Sequence, residues 1–120
     1  MRNYKINSNE RVATYSVIGL MSGTSLDGLD IAFCKFSLKK GKWAYKILSA
    51  KTYSYTKQWK EKLSTIEKRT AEELAMLHSE YGRFLGKKVK DFMGEFSILR
   101  RRVFVSSHGH TIFHQPEKKF

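Results

Sequence analysis

Apolar residues change their spacing twice along the 120-residue chain, and each spacing predicts a different element. From Tyr15 to Met21 the run YSVIGLM is rich in β-formers and mostly apolar, as a strand buried on both faces would be. It stops at SGTSLDG, whose glycines and small polar residues predict a turn. Leu29, Ile31 and Phe33 then alternate with Asp30, Ala32 and Cys34, and the pattern continues to Leu38 as a second strand. Lys39-Lys40-Gly41-Lys42 predicts a hairpin turn, with Gly41 free to take positive φ. A third strand runs from Trp43 to Tyr55, with Trp43, Tyr45 and Ile47 on one face. The three segments are expected to form an antiparallel meander.

The middle of the chain shifts to helical spacing. Trp59, Leu63 and Ile66 mark a first helix, and Thr70 with Glu73 three residues on forms a capping-box pattern. From Thr70 to about Phe96, Leu74, Leu77, Tyr81, Phe84, Leu85, Val89, Phe92 and Met93 lie on one helical stripe. The early acids Glu72 and Glu73 and the later Lys87, Lys88 and Lys90 suit the dipole of a long helix. Val103-Phe104-Val105 then predicts a short strand running into Ser106-Ser107-His108-Gly109. A strand reached through a crossover helix should lie parallel to a partner in the same sheet. The order β-β-β-α-β is an α/β arrangement that opens the ribonuclease-H-like fold of actin-like ATPases, and other α+β folds begin in the same way.

Composition narrows the class. An apolar fraction of 41% and an aromatic fraction of 13% are those of a globular chain with its own core. The polar stretch 1–14 reads as a leader, and residues 15–120 as the structured part. The single cysteine, Cys34, is expected to be a small buried hydrophobe, and one thiol cannot form an internal disulfide. The apolar run Val17–Met21 is too short for a signal segment, and no window approaches a membrane span, so a cytoplasmic protein without membrane contact is expected. The formal net charge of +12 raises the question of a polyanion partner. The positives are scattered over Lys39–Lys42, Lys57–Lys62, Lys87–Lys90 and Arg100–Arg102, without the interleaved aromatics of a single-strand platform. No nucleic-acid partner is expected, and affinity for single strands at physiological salt would test this.

Two clusters carry candidate chemistry. In GLMSGTSLDGLD, glycines and hydroxyl residues share a tight strand-to-strand turn that can aim N–H groups at an anion. Ser22, Thr24 and Ser25 add hydroxyls, and Asp27 could hold a water on the Mg²⁺ that phosphoryl transfer needs. The Walker lysine is absent, and the same residues also suit an ordinary hairpin turn. The second cluster, SSHGHTIFHQP, holds three of the four histidines. If it is extended, His108 and His110 face one side, which permits a metal only with ligands from elsewhere. No metal site is expected. His78 and Glu80 read as exposed or satisfied, and Trp43 and Trp59 as packing residues.

The string GLMSGTSLDGLD resembles the amino-terminal signature of the anhydro-N-acetylmuramic acid kinases, and SSHGHTIFHQP resembles their SHGQT…HRP motif. The resemblance spans roughly Val17 to Pro116. It implies that Gly23, Thr24, Ser25, Leu26, Asp27, Gly28, Leu29 and Asp30 form the first phosphate motif for ATP with Mg²⁺. It implies that Ser107, His108, Gly109, His110 and Thr111 line the sugar pocket, with His110 standing where glutamine is more usual. The implied activity is ATP-dependent phosphorylation of 1,6-anhydro-N-acetylmuramic acid with hydrolytic opening of the anhydro ring to N-acetylmuramic acid 6-phosphate, in cell-wall recycling. The family's general-base aspartate lies downstream of the histidine motif, so no catalytic residue is assigned in this chain. Residues 15–120 are then expected to be a partial N-terminal lobe of an actin-like sugar kinase, inactive alone and homodimeric when full length. The rival expectation is an actin-like ATP-binding or assembly module without kinase activity, which sugar binding would exclude.

Overall fold

The computed structural model describes residues 12–118, so most of the leader expected at 1–14 lies outside the described residues. Three long strands come first: β1 (Val12–Ser22), β2 (Gly28–Lys39) and β3 (Lys42–Ser54). They form the expected antiparallel meander. β1 begins three residues before the expected Tyr15, because Val12 to Thr14 still pair with Lys39 to Ser37 of β2. Lys40 and Gly41 both take positive φ, 51° and 73°, the signature of a two-residue turn whose twist matches the flanking strands. Helix α1 (Lys57–Ser64), a short 3₁₀ turn and helix α2 (Ala71–Glu95) follow, and then β4 (Val103–His110). β4 returns parallel to β1, giving the strand order β3-β2-β1-β4.

Alternation along the strands decides where the core lies. Ile18 and Leu20 of β1 and Leu29 and Ile31 of β2 point to one face, where they meet Tyr55, Leu63 of α1 and Phe92 of α2. Trp59 packs against the rings of Phe84 and Tyr81, with centroids at 4.7 and 5.7 Å. The opposite face carries Tyr15, Val17, Phe36, Trp43, Tyr45 and Phe104, and no helix among the described residues packs against it. Trp43, expected to pack the sheet, is therefore 61% exposed, with its ring tilted against that of Tyr15 at 6.0 Å between centroids. Cys34 shares this face through its pairing with Val17 and is half-buried instead of buried.

Both ends of α2 are closed by local hydrogen bonds. Thr70 accepts from the Glu73 amide, and the Glu73 carboxylate accepts from the Thr70 amide at 2.8 Å, so the capping box is complete. The Thr70 hydrogen bonds hold the Glu73 carboxyl below its usual range. The expected dipole match at the other end is not there. The lysines at 87, 88 and 90 lie before the last turn, which ends on Glu95, and Lys51 of β3 reaches across to pair with Glu95 at 2.8 Å. The chain leaves α2 through Ser97 at φ 53°, with Ile98 N–H donating to the Met93 carbonyl and Ser97 N–H to that of Gly94. That is a Schellman ending with serine where glycine is favoured. Ser97→Gly is accordingly expected to raise stability by about 0.5 kcal/mol, the relief of left-handed strain less the added freedom of the unfolded chain. A urea titration checks it.

Candidate functional site

Because β1 and β4 are parallel neighbours, both sequence clusters emerge at the same edge of the sheet. The turn 23–27 leaves the carboxyl end of β1, and segment 111–115 leaves the carboxyl end of β4. Ligands in open α/β sheets gather at such carboxyl ends. Ser22 and His110, 88 positions apart, are register partners, and their side chains meet at 2.9 Å between Oγ and Nδ1.

In the turn, the Leu26 amide donates to the Gly23 carbonyl at 3.2 Å, and Leu26 itself takes φ 57°. The left-handed residue is thus the leucine, held by packing of its side chain against the core. The glycines serve other ends. A Cβ on Gly28 would lie 2.6 Å from the Tyr53 carbonyl oxygen, so Gly28 lets β2 approach β3. A Cβ on Gly23 would meet only the Ser25 hydroxyl, at 3.6 Å, so its bare backbone faces open space. Thr24, Ser25 and Asp27 are exposed around it. Leu29 is buried in the core, and Asp30, on the open sheet face, accepts a hydrogen bond from Thr52. The segment from Gly23 to Asp30 therefore splits into an exposed turn and a structural strand start.

At the end of β4 the ladder slips: Leu20 pairs with Ser107 but Ser22 pairs with His110. Gly109, at φ 74°, absorbs the extra residue, and its amide donates to the Ser107 hydroxyl at 3.1 Å. Such bulges re-aim side chains, here that of His110 toward Ser22. Ser107, His108, Gly109 and His110 line a cavity of about 390 Å³ with His78 and Tyr81 of α2. Leu63, Ile66, Leu77 and Ile112 supply apolar walls. The volume is in the range of small-ligand pockets. Thr111 is exposed just outside the cavity lining. Among the described residues no group of three His, Cys, Asp or Glu side chains could hold a metal ion. No helix among them is long and apolar enough to cross a membrane.

Behind the cavity lies a chain of hydroxyls that sequence patterns do not single out. Tyr55 donates to Ser22 Oγ at 2.7 Å and stands 2.8 Å from the Tyr81 hydroxyl. Ser22, expected as a hydroxyl for ligand, is 4% exposed and spends its side chain on Tyr55 and His110. Burial pushes the Tyr55 phenol well above its usual value, so it remains an O–H donor. Burial pushes His110 below 6.5 and outweighs an opposing pull from the Ser22 backbone, so the neutral ring is the folded form. The stability this gives is complete above pH 6.5 and is lost as pH falls below it. The available signal was Tyr81 on the apolar stripe, since a buried tyrosine hydroxyl usually finds a partner.

Comparisons with known proteins place the sequence in a family. The family model described as anhydro-N-acetylmuramic acid kinase matches residues 15–120. A curated relative of that name from Pseudoalteromonas translucida (strain TAC 125) is 36% identical over 107 residues, covering 86% of this chain and 27% of the relative. Another, from Picosynechococcus sp. (strain ATCC 27264 / PCC 7002 / PR-6), is 34% identical over 103 residues, covering 83% and 26%. A third, from Pseudoalteromonas atlantica (strain T6c / ATCC BAA-1087), is 32% identical over 104 residues, again covering 83% and 26%. The chain thus spans roughly a quarter of the length of these relatives. On the match over residues 15–120, the chain belongs to the anhydro-N-acetylmuramic acid kinase family.

Proposed function

We propose that this chain carries the phosphate turn and part of the sugar pocket of an ATP-dependent carbohydrate kinase. Its substrate would be 1,6-anhydro-N-acetylmuramic acid, phosphorylated as water opens the anhydro bridge to give N-acetylmuramic acid 6-phosphate. The reading rests on the family and on one observation above all. The Ser22–His110 pairing sets the two motifs side by side at the carboxyl ends of β1 and β4. In this reading the sheet is the start of a ribonuclease-H-like lobe spanning residues 15–120, and a second lobe closes over the nucleotide. The working enzyme is a cytoplasmic homodimer.

Gly23, Thr24, Ser25, Leu26 and Asp27 would face the phosphates, while Gly28, Leu29 and Asp30 anchor that turn to the sheet. The bare backbone at Gly23 fits a close anion, because no side chain occupies the space a Cβ would take. Asp27 would take a water of Mg²⁺, whose bound form neutralises phosphate charge. A single exposed carboxylate suits this ion, which keeps several waters and is shared with the nucleotide. Ser107, His108, Gly109, His110 and Thr111 would bind and orient the sugar, with the apolar wall of the cavity excluding water from one side.

The chain's own residues here bind and position; none is placed as the base that activates water. The 120-residue chain alone is therefore expected to release no ADP from ATP in response to the anhydro-sugar. ADP formation dependent on both would refute this. Exchanging residues 15–116 into the matching quarter of the Pseudoalteromonas translucida relative tests the function itself. Sugar-dependent ADP release by the folded chimera is expected, and a folded chimera without it would speak against the reading.

A further inference from the structure

The hydroxyl chain behind the cavity has a direction. Tyr55 donates to Ser22 Oγ, which leaves the Tyr55 oxygen free to accept from Tyr81 at 2.8 Å. Ser22 Oγ, having accepted from Tyr55, still has its own proton to place. Ser22 is buried, and the side-chain acceptor that faces it is His110 Nδ1 at 2.9 Å. A buried hydroxyl left without an acceptor costs about 1–3 kcal/mol, so the proton goes to Nδ1. A neutral imidazole that accepts at Nδ1 carries its hydrogen on Nε2.

We infer that Tyr81, Tyr55 and Ser22 are positioning residues that lock His110 as the Nε2–H tautomer, making it an obligate hydrogen-bond donor beside the cavity. Among the described residues the ring's side-chain hydrogen bond is the one to Ser22 at Nδ1, which makes Nε2–H the donor left for a ligand. The titratable groups lining the cavity with it are His78, Tyr81 and His108; none is a carboxylate that would favour the imidazolium. The competing arrangement, a proton on Nδ1 directed at the Ser22 backbone, would strand the Ser22 hydroxyl proton.

The consequence is a selectivity that a glutamine at this position would not impose. A side-chain amide offers both a donor and an acceptor, whereas the locked ring offers a donor only. The ligand must then present an acceptor oxygen to His110, a carbonyl or an ether or hydroxyl lone pair. A ligand group that can only donate is rejected. This deepens the kinase reading and rests on it for the identity of the ligand, but the tautomer itself does not depend on any ligand.

The experiment is ¹⁵N spectroscopy of the histidine-labelled, ligand-free protein above pH 7, with His110→Gln used to identify the His110 signals. The expected spectrum has a pyridine-type Nδ1 and a pyrrole-type Nε2. In Ser22→Ala that preference is expected to be lost to a mixture of tautomers, and Tyr55→Phe, which keeps the Ser22 hydroxyl, should weaken it. A pyrrole-type Nδ1 or an imidazolium in the unsubstituted protein would overturn the inference, whatever the kinase assays give. A wild-type tautomer unchanged in both folded variants would also overturn it, since the hydroxyls would then not be what sets it. Failure of the kinase assays with the expected spectrum would remove the sugar and leave the donor.

Discussion

Replacing Phe92 by alanine is expected to cost about 3–5 kcal/mol, the largest loss of stability from any single truncation in the chain. Phe92 is fully enclosed, at 0% exposure, where α2 meets Ile18, Leu20, Leu29 and Ile31 of the sheet. Its ring also lies 4.7 Å from that of Phe96. Removal leaves a cavity against a rigid sheet that cannot collapse into it, so the lost transfer energy and the cavity cost add. Domains are stable by only about 5–15 kcal/mol, so the variant should lose a large share of its stability. Phe104→Ser is the matched control. Phe104 has the same chemistry but stands 64% exposed on the open face, and its replacement should cost less than about 1 kcal/mol. Urea denaturation of both variants checks the pair; equal losses would mean that the core is not confined to the helical face.

Gly23 in the turn 23–27 and Gly28 at the start of β2 should separate folding from binding. Gly28→Ala sets a Cβ 2.6 Å from the Tyr53 carbonyl oxygen and 2.9 Å from Thr52 Cγ2. Backbone cannot yield as a flexible side-chain tip can, so β2 and β3 must part where the turn begins. A loss of about 1–3 kcal/mol is expected, with nucleotide affinity falling because the turn moves. Gly23→Ala meets nothing closer than 3.6 Å and has no positive φ to strain it. Its stability should stay within about 0.5 kcal/mol of the parent. If phosphate packs against that bare backbone, its affinity for Mg-ATP should still fall about tenfold, or about 1.4 kcal/mol. Thermal unfolding and nucleotide titration of both variants measure this. Unchanged affinity in Gly23→Ala would show that the phosphate does not lie there.

The elements were legible where local chemistry alone sets them. Gly41, the capping pair Thr70 and Glu73, and the 3.6-residue stripe from Leu74 to Met93 each fix their own backbone, and each formed as expected. Features set by distant partners were not legible. No sequence spacing tells that Trp43 would face away from the helices, because both faces of β1 and β2 carry apolar residues. Nor does spacing show that the left-handed residue of the turn is Leu26, since a glycine is the cheaper occupant on either side of it. The site followed the same division. Both clusters were visible as strings, but their contact depends on β4 returning beside β1 and on the slip at Gly109. The hydroxyl chain from Tyr81 to His110 draws one residue each from α2, the position after β3, β1 and β4, and only the folded arrangement assembles it.

Amide chemical-shift mapping tests most directly whether the two clusters form one site. The ¹⁵N-labelled protein would be titrated with Mg-ATP and with 1,6-anhydro-N-acetylmuramic acid. Mg-ATP is predicted to perturb the amides of Gly23 to Asp27. The sugar is predicted to perturb Ser107 to Thr111 and the cavity wall at His78 and Tyr81, with Ser22 responding to both ligands. Perturbations that fall elsewhere, or none at millimolar ligand in a folded sample, would contradict the account.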